Sequence, residues 1–271
     1  MKQLVQDFKT GAIQLVDVPP PTALPGCILV RNAFSLVSAG TERSTVEMAQ
    51  ASLLGKARKR PDLVRQVIAT VKREGLAATV NKVRSRLDQW KELGYSTAGT
   101  VIEVGSGVTD IAVGDCVACA GQNYASHAEI VCVPQNLVAK IPTGTAFEHA
   151  AFTTLGAIAL QGVRQADVRL GENVAVIGLG LVGQLTVQLL KASGCRVYGH
   201  DLKPEAIALA GVEPGQLDAM DAVIITAATD SNEPIKLAGN LCRDRGRVVM
   251  VGVTGMEIPR DIFFRKELDF R

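Results

Sequence analysis

The rhythm of apolar positions changes three times along the chain. Up to residue 40 they fall in short runs, 13–18 and 27–32, separated by the proline-rich stretch 19–26. Runs of this length between proline and glycine punctuation predict β-strands. The same rhythm returns over 97–140, with runs at 100–104, 115–119 and 128–133 and a turn at Gly105 and Gly107. Together these stretches predict a small barrel or sandwich. Between them, Pro61 and Asp62 open a segment in which Leu63, Val64, Val67, Ile68 and Val71 share one helical face. After Gly75, the residues Leu76, Val80, Val83, Leu87 and Trp90 recur every three or four positions, predicting a second helix and a helical hairpin.

From residue 146 onward, helix and strand patterns alternate. Helices are predicted at 150–163, 181–193, 203–210 and 235–243, and strands at 173–178, 196–201, 221–227 and 247–253. Such alternation predicts a parallel, doubly wound sheet and an α/β fold class. Only 19 residues separate Asp201 from Asp221, and the helix at 203–210 uses much of that stretch. A further strand with its crossover needs a dozen residues or more, so the sheet is expected to be abbreviated.

Of the 271 residues, 47% are hydrophobic but only 4% aromatic. The core must therefore be built mainly from Val, Ile, Leu and Ala, as in buried parallel strands, and a disordered or collagen-like chain is excluded. The net charge of +2 conceals an imbalance: 43–91 carries twelve basic and four acidic residues, net +8, leaving −6 on the rest. The total offers no case for a nucleic-acid or membrane partner. The basic insert either holds an anionic substrate or partner module or is a solvated helical face. The N-terminus has acidic and polar residues where a signal peptide needs an apolar run, and nothing approaches a stretch of ~18 apolar residues, so a cytoplasmic protein is expected. Its six cysteines, at 27, 116, 119, 132, 195 and 242, lie mostly in apolar strand-like segments and are expected to stay reduced.

The strongest chemical signal is a GxGxxG motif made by Gly178, Leu179, Gly180, Leu181, Val182 and Gly183. It directly follows the strand 173–178 and opens the helix at Leu181, the context that gives the motif meaning. Gly178 allows the tight turn, Gly180 lets backbone approach a pyrophosphate, Gly183 lets helix pack on strand, and Leu181 and Val182 bring the helix N-terminus to the phosphates. Asp201 ends the next strand, 18 residues beyond Gly183. A carboxylate there accepts both ribose hydroxyls and repels a 2′-phosphate, which favours NAD over NADP; Lys203 softens that preference, and His200 is adjacent.

In this order, the segments Gly99-Thr100-Val101-Ile102-Glu103-Val104-Gly105, Val113-Gly114-Asp115-Cys116-Val117, His127-Ala128-Glu129 and the glycine motif resemble the medium-chain dehydrogenase/reductases, the superfamily of zinc-type alcohol dehydrogenases. The resemblance runs the length of the chain. It implies a GroES-like β-barrel catalytic domain over 1–145, with the basic helical insert 43–91, then a Rossmann dinucleotide-binding domain over 146–271. It also implies a small-molecule substrate held in the cleft between them and a homo-oligomer. More narrowly, the insert and the run Phe152-Thr153-Thr154-Leu155-Gly156-Ala157 resemble bidomain oxidoreductases of polysaccharide-biosynthesis clusters. That implies a sugar-derived substrate and a sugar-oxidoreductase module as C-terminal or separate partner, and it adds Thr154 to the expected cofactor-binding residues. Relatives continue beyond Arg271, so the chain is expected to lack segments, with 211–217 as a junction.

In the zinc enzymes of this superfamily a Cys-Gly-Thr-Asp and a Gly-His-Glu segment carry ligands. The matching text here is Ala39-Gly40-Thr41-Glu42 and Gly94-Tyr95-Ser96, and a further cysteine position falls near Ala151. The loop of four cysteines for a structural zinc is also missing, and Cys116 with Cys119 reads as core. Alanine cannot ligate zinc and tyrosine replaces imidazole poorly, so no zinc is expected. Without a metal, a carbonyl must be polarised by hydrogen-bond donors, or a conjugated alkene is activated instead. Thr41 matches the hydroxyl that relays the alcohol proton, and Tyr95 stands where a ligand would face the cleft. These are the candidate catalytic residues, although each also reads as a hydroxyl satisfied by backbone. Ser96 is a further candidate, while His127 and His149 read as structural. The sequence thus predicts a zinc-independent NAD(P)-dependent oxidoreductase acting on an alcohol, carbonyl or conjugated carbonyl. The alternative is a dinucleotide-binding scaffold or redox sensor that has lost catalysis.

Overall fold

The computed structural model describes residues 1–7, 10–38, 40–42, 73, 75, 90–212 and 218–271. The helical hairpin expected over 61–90 lies almost wholly outside them. The chain forms two compact units, Met1–Thr154 and Leu155–Arg271.

The first unit is antiparallel. A three-stranded sheet has the order β2-β1-β4, with β1 at Lys2–Asp7, β2 at Ile13–Asp17 and β4 at Trp90–Glu92. A five-stranded sheet has the order β7-β3-β5-β6-β8, built from β3 Cys27–Ser35, β5 Ser96–Val104, β6 Cys116–Ala120, β7 Ile130–Pro134 and β8 Val138–Lys140. Alternate residues of four of these strands, among them Ile28, Val30, Val101, Val117, Val131 and Val133, form one buried cluster. Two features depart from the sequence reading. Strand β1 was not expected, because its buried positions include Gln3 and Gln6 and the polar residues mask the alternation. Trp90 was read as the end of a helix, yet it lies on β4 opposite Asp7, so the helical spacing does not extend to it.

Strand alternation also settles Cys116 and Cys119. The first is exposed and the second buried, as positions three apart on a strand point to opposite faces. All six cysteines are free. Burial pushes the Cys119 thiol, and likewise that of Cys242, up to about 12. The thiolate is the reactive form. Alkylation of the folded protein at pH 8 is therefore expected to label Cys116 first and to spare Cys119 and Cys242 until the chain unfolds. Peptide mapping by mass spectrometry after timed quenching checks the order.

The second unit is a parallel sheet of order β10-β9-β11-β12-β13. Its strands are β9 Asn173–Ile177, β10 Arg196–His200, β11 Met220–Ile225, β12 Cys242–Met250 and β13 Asp269–Phe270. Helix α1 Phe147–Ala150 still belongs to the first unit and α2 Thr153–Ala166 leads into the sheet; α3 Leu181–Ala192, α4 Pro204–Ala210, α5 Glu233–Leu241 and α6 Arg260–Arg265 each follow a strand. Both faces of the sheet are covered, as the apolar runs require. Val174, Val176, Ala222 and Ile224 pack with α2, α3 and α4, while Ala175, Ile177, Val223 and Ile225 pack with α5 and α6. Among the described residues no strand lies beyond β10. Only nine residues, 211–219, join α4 to β11.

Two helix expectations need correction. The single helix read at 150–163 is two, α1 and α2, and the Thr153 hydroxyl donates to the Ala150 carbonyl (2.7 Å) at the break. The helix read to residue 243 stops at Leu241, and Cys242 and Arg243 belong to β12. The Lys266 ammonium donates to the carbonyls of Gly239 (3.1 Å), Asn240 (2.8 Å) and Cys242 (2.6 Å). A cation on the last carbonyls of a helix satisfies acceptors that have no intrahelical partner and matches the negative end of the dipole.

Candidate functional site

The glycine motif lies where the chain order of the parallel sheet reverses, with β10 on one side of β9 and β11 on the other. His200 and Ile225 are level with Ile177, so three strands end together there. Open α/β sheets bind ligands in this crevice. Gly178 turns the chain away from β9 with φ +92°, and a Cβ there would come within 2.6 Å of the Ala227 backbone. At Gly183 a Cβ would meet the Gly178 carbonyl oxygen at 2.0 Å, so α3 crosses the strand end at a distance only glycine permits. A Cβ on Gly180 would meet nothing within 4 Å, which leaves room above the turn. Gly180 is the N-cap of α3, no side chain caps it, and the first turn carries no acid. The first amides of α3, among them those of half-exposed Leu181 and half-buried Val182, thus lack a capping side chain, and together they supply the positive potential that an anion site requires.

The turn is pinned by side chains from three elements. Half-buried Asp201, just past β10, accepts the Leu179 N–H at Oδ2 (2.6 Å) and the Lys203 N–H at Oδ1 (2.9 Å). The Thr226 hydroxyl, just past β11, donates to the Gly178 carbonyl. Gln184 on α3 donates from Nε2 to the carbonyls of Leu179 (3.0 Å) and Ala206 (2.9 Å). The Leu179 side chain is buried in the core between sheet and helices. Gln184 and Thr226 were not picked out from the sequence, because no spacing rule distinguishes them from other polar residues near an element end.

The remaining candidates belong to the first unit. Thr41 is exposed on a helical turn at 40–42, where Ser38 Oγ donates to its hydroxyl at 3.5 Å. The next residue, Glu42, accepts the Ser38 N–H (2.9 Å) and both its carboxylate oxygens lie 3.2 Å from His127 Nε2. The His127 ring is only 7% exposed; its Nδ1 meets Ser35 Oγ at 2.9 Å and it packs directly over Gly94. Tyr95 follows Gly94 and is half-buried. One imidazole thus gathers the segments that carry Thr41 and Tyr95, a particular link that a structural reading of His127 from the sequence does not specify. Thr154, on the first turn of α2, points its hydroxyl at the carbonyls of Tyr95 and Cys119, each 3.5 Å away. Ser96 is 1% exposed and its hydroxyl is spent on the Ala151 carbonyl at 2.6 Å, which makes it a structural tie. His149 is 76% exposed beside Glu148 and supports nothing in the core.

A zinc ion finds no suitable donors at the positions the resemblance marks. Tyr95 offers a phenol, and Ala151, 2% exposed, lies in an apolar cluster with Ala98, Ala118 and Ala150; Ala39 has no donor in its side chain. Among the described residues no three His, Cys, Asp or Glu side chains are grouped to hold a metal.

The architecture and the pinned glycine turn define the class: a GroES-like antiparallel unit followed by a Rossmann-like parallel unit. Residues 63–143 match the family model of the alcohol dehydrogenase GroES-like domain. A D-guloside 3-dehydrogenase of Shigella flexneri is 40% identical over 107 residues, 39% of this chain and 30% of that enzyme. An alcohol dehydrogenase of Geobacillus stearothermophilus is 30% identical over 215 residues, 63% of each chain. The chain therefore spans less than two thirds of the length of these curated relatives. Galactitol-1-phosphate dehydrogenase from Escherichia coli superposes over 100% of this chain and 82% of its own, with a TM-score of 0.74 and 20% identity. This chain is thus similar in sequence to alcohol dehydrogenases over part of its length, most clearly in the GroES-like residues, and it shares the fold of the solved dehydrogenase.

Proposed function

We propose that this protein is a zinc-independent oxidoreductase that binds NAD in preference to NADP and acts on an alcohol or carbonyl of a small, sugar-derived molecule. The observation that carries this reading is the glycine turn with Asp201 at the switch point of the sheet, held in place by Thr226 and Gln184. A bound nicotinamide cofactor supplies or accepts the hydride. The chain's own residues do the rest. Gly180 leaves space for the pyrophosphate, the first amides of α3 donate to it, and Asp201 accepts the ribose hydroxyls. Thr41 and Tyr95 supply the hydroxyls that hold the reacting oxygen and pass its proton, in place of a metal that the donor set does not fit. The sugar reading is supported by the D-guloside 3-dehydrogenase relative.

The test is calorimetric titration with NADH and with NADPH, followed by turnover on a panel of alcohols, sugars and ketones with and without a zinc chelator. Tight NADH binding and chelator-resistant turnover are expected. Binding of neither dinucleotide overturns the reading. Binding without any turnover favours instead a scaffold or redox sensor, a role consistent with apolar Ala151 at a ligand position.

A further inference from the structure

We infer that Gln184 is a positioning residue for the pyrophosphate, acting through the direction of the Gly180 amide; this rests on the dinucleotide reading above. The argument concerns two successive peptide planes. In a trans peptide the C=O and the following N–H point in opposite directions, so holding one end aims the other. The Gly178–Leu179 plane is held at both ends, its carbonyl by the Thr226 hydroxyl and its N–H by Asp201. The Leu179–Gly180 plane is held at its carbonyl by Gln184 Nε2 at 3.0 Å. With that carbonyl fixed, the Gly180 N–H is turned to the opposite side of the peptide plane, and the Gly180 Cα beside it is unobstructed, since a Cβ there would meet nothing within 4 Å.

The orientation of the Gln184 amide follows from its partners. Both are backbone carbonyls, which only accept, so the NH₂ end must face them, one N–H to each. The second bond, to Ala206 on α4, ties the same amide to the helix that follows Asp201 and Lys203. Gln184 thereby links the turn that meets the phosphates to the segment that meets the ribose. Neither contact involves the ligand itself, so the residue acts only through the backbone it holds.

The experiment compares Gln184→Met, which keeps length and shape but donates nothing, with Gln188→Met, an exposed position on the same helix. Dissociation constants for NADH, ADP and adenosine are measured together with melting temperatures. Loss of an aimed donor to a charged phosphate is worth about tenfold in affinity. Gln184→Met is expected to weaken NADH and ADP by about that factor, to leave adenosine unchanged because it has no phosphate, and to melt within a few degrees of Gln188→Met. Equal weakening of adenosine would show that the effect runs through the Asp201 segment and overturns the inference. So would NADH binding equal to that of Gln188→Met, or a melting shift large enough to account for the whole loss. Failure of the unmutated protein to bind NADH, in contrast, removes the dinucleotide reading itself.

Discussion

Asp201→Ala is expected to weaken NADH binding by roughly ten- to a hundredfold, the range for losing hydrogen bonds to a charged group. The same change is expected to leave NADPH binding equal or stronger. The sign differs because the carboxylate attracts two ribose hydroxyls in one ligand and repels a 2′-phosphate in the other, with Lys203 and His200 beside it. One complication is built into the fold. Asp201 also accepts the Leu179 N–H at 2.6 Å, so alanine releases the turn as well as the ribose. Asp201→Asn separates the two effects: its amide oxygen still accepts from Leu179 but carries no charge. The asparagine variant is expected to change the NADH to NADPH ratio nearly as much as alanine while melting closer to the unmutated protein. Calorimetry with both cofactors on all three proteins decides it, and a ratio that does not move would remove Asp201 from ribose recognition.

Gly183→Ala carries the largest expected cost in stability. The added carbon would sit 2.0 Å from the Gly178 carbonyl oxygen and 2.9 Å from Thr226 Oγ1. The nearer atom is backbone, pinned by the Thr226 hydroxyl, and cannot swing aside as a flexible side chain would. Helix α3 must therefore lift from β9, which opens the cluster of Val176, Leu179, Val187 and Leu190. Overpacking of this kind costs about 1–3 kcal/mol where the core yields and more where it does not, and the backbone clash puts this site at roughly 3 kcal/mol or above. The chain's single tryptophan, Trp90, is in the first unit, so its fluorescence reports that unit alone. Unchanged Trp90 fluorescence, loss of amide protection in β9 and loss of NADH binding are the expected set. Retention of NADH affinity with unchanged protection would show that the helix can shift at little cost.

Much of the fold was readable because its signals are local. The pinned glycine turn was legible for the same reason: the glycines, the preceding apolar strand and the acid that ends the next strand each stand at fixed offsets. Strand β1 was hidden because Gln3 and Gln6 occupy buried positions and break the alternation of its side chains. The end of α5 was hidden because no glycine or proline directly follows Leu241; Lys266, 24 residues after Cys242, caps it instead. Trp90 misled because a three-to-four spacing extends by coincidence into a strand whose partner, β1, lies more than eighty residues earlier.

The site divides in the same way. Asp201, Thr41 and Tyr95 were reached from motif positions. The joining of Glu42, His127 and Ser35 was not, since His127 lies 85 residues beyond Glu42 and 92 beyond Ser35 and no local pattern connects them. Gln184 and Thr226 are ordinary polar residues in the sequence, and their importance lies in which carbonyl each one meets.

The sequence by itself determined the alternation of elements, the mainly aliphatic core on both faces of the parallel sheet and the glycine turn, because hydrophobic period and backbone permissiveness act over a few residues. Only the tertiary structure decided which peptide planes of that turn are held, which imidazole gathers the segments of Thr41 and Tyr95, and where β1 and β4 pair. Apart from the local bond of Gln184 to Leu179, those choices depend on hydrogen bonds between residues far apart in the chain, whose partners exist only once the strands have been brought side by side.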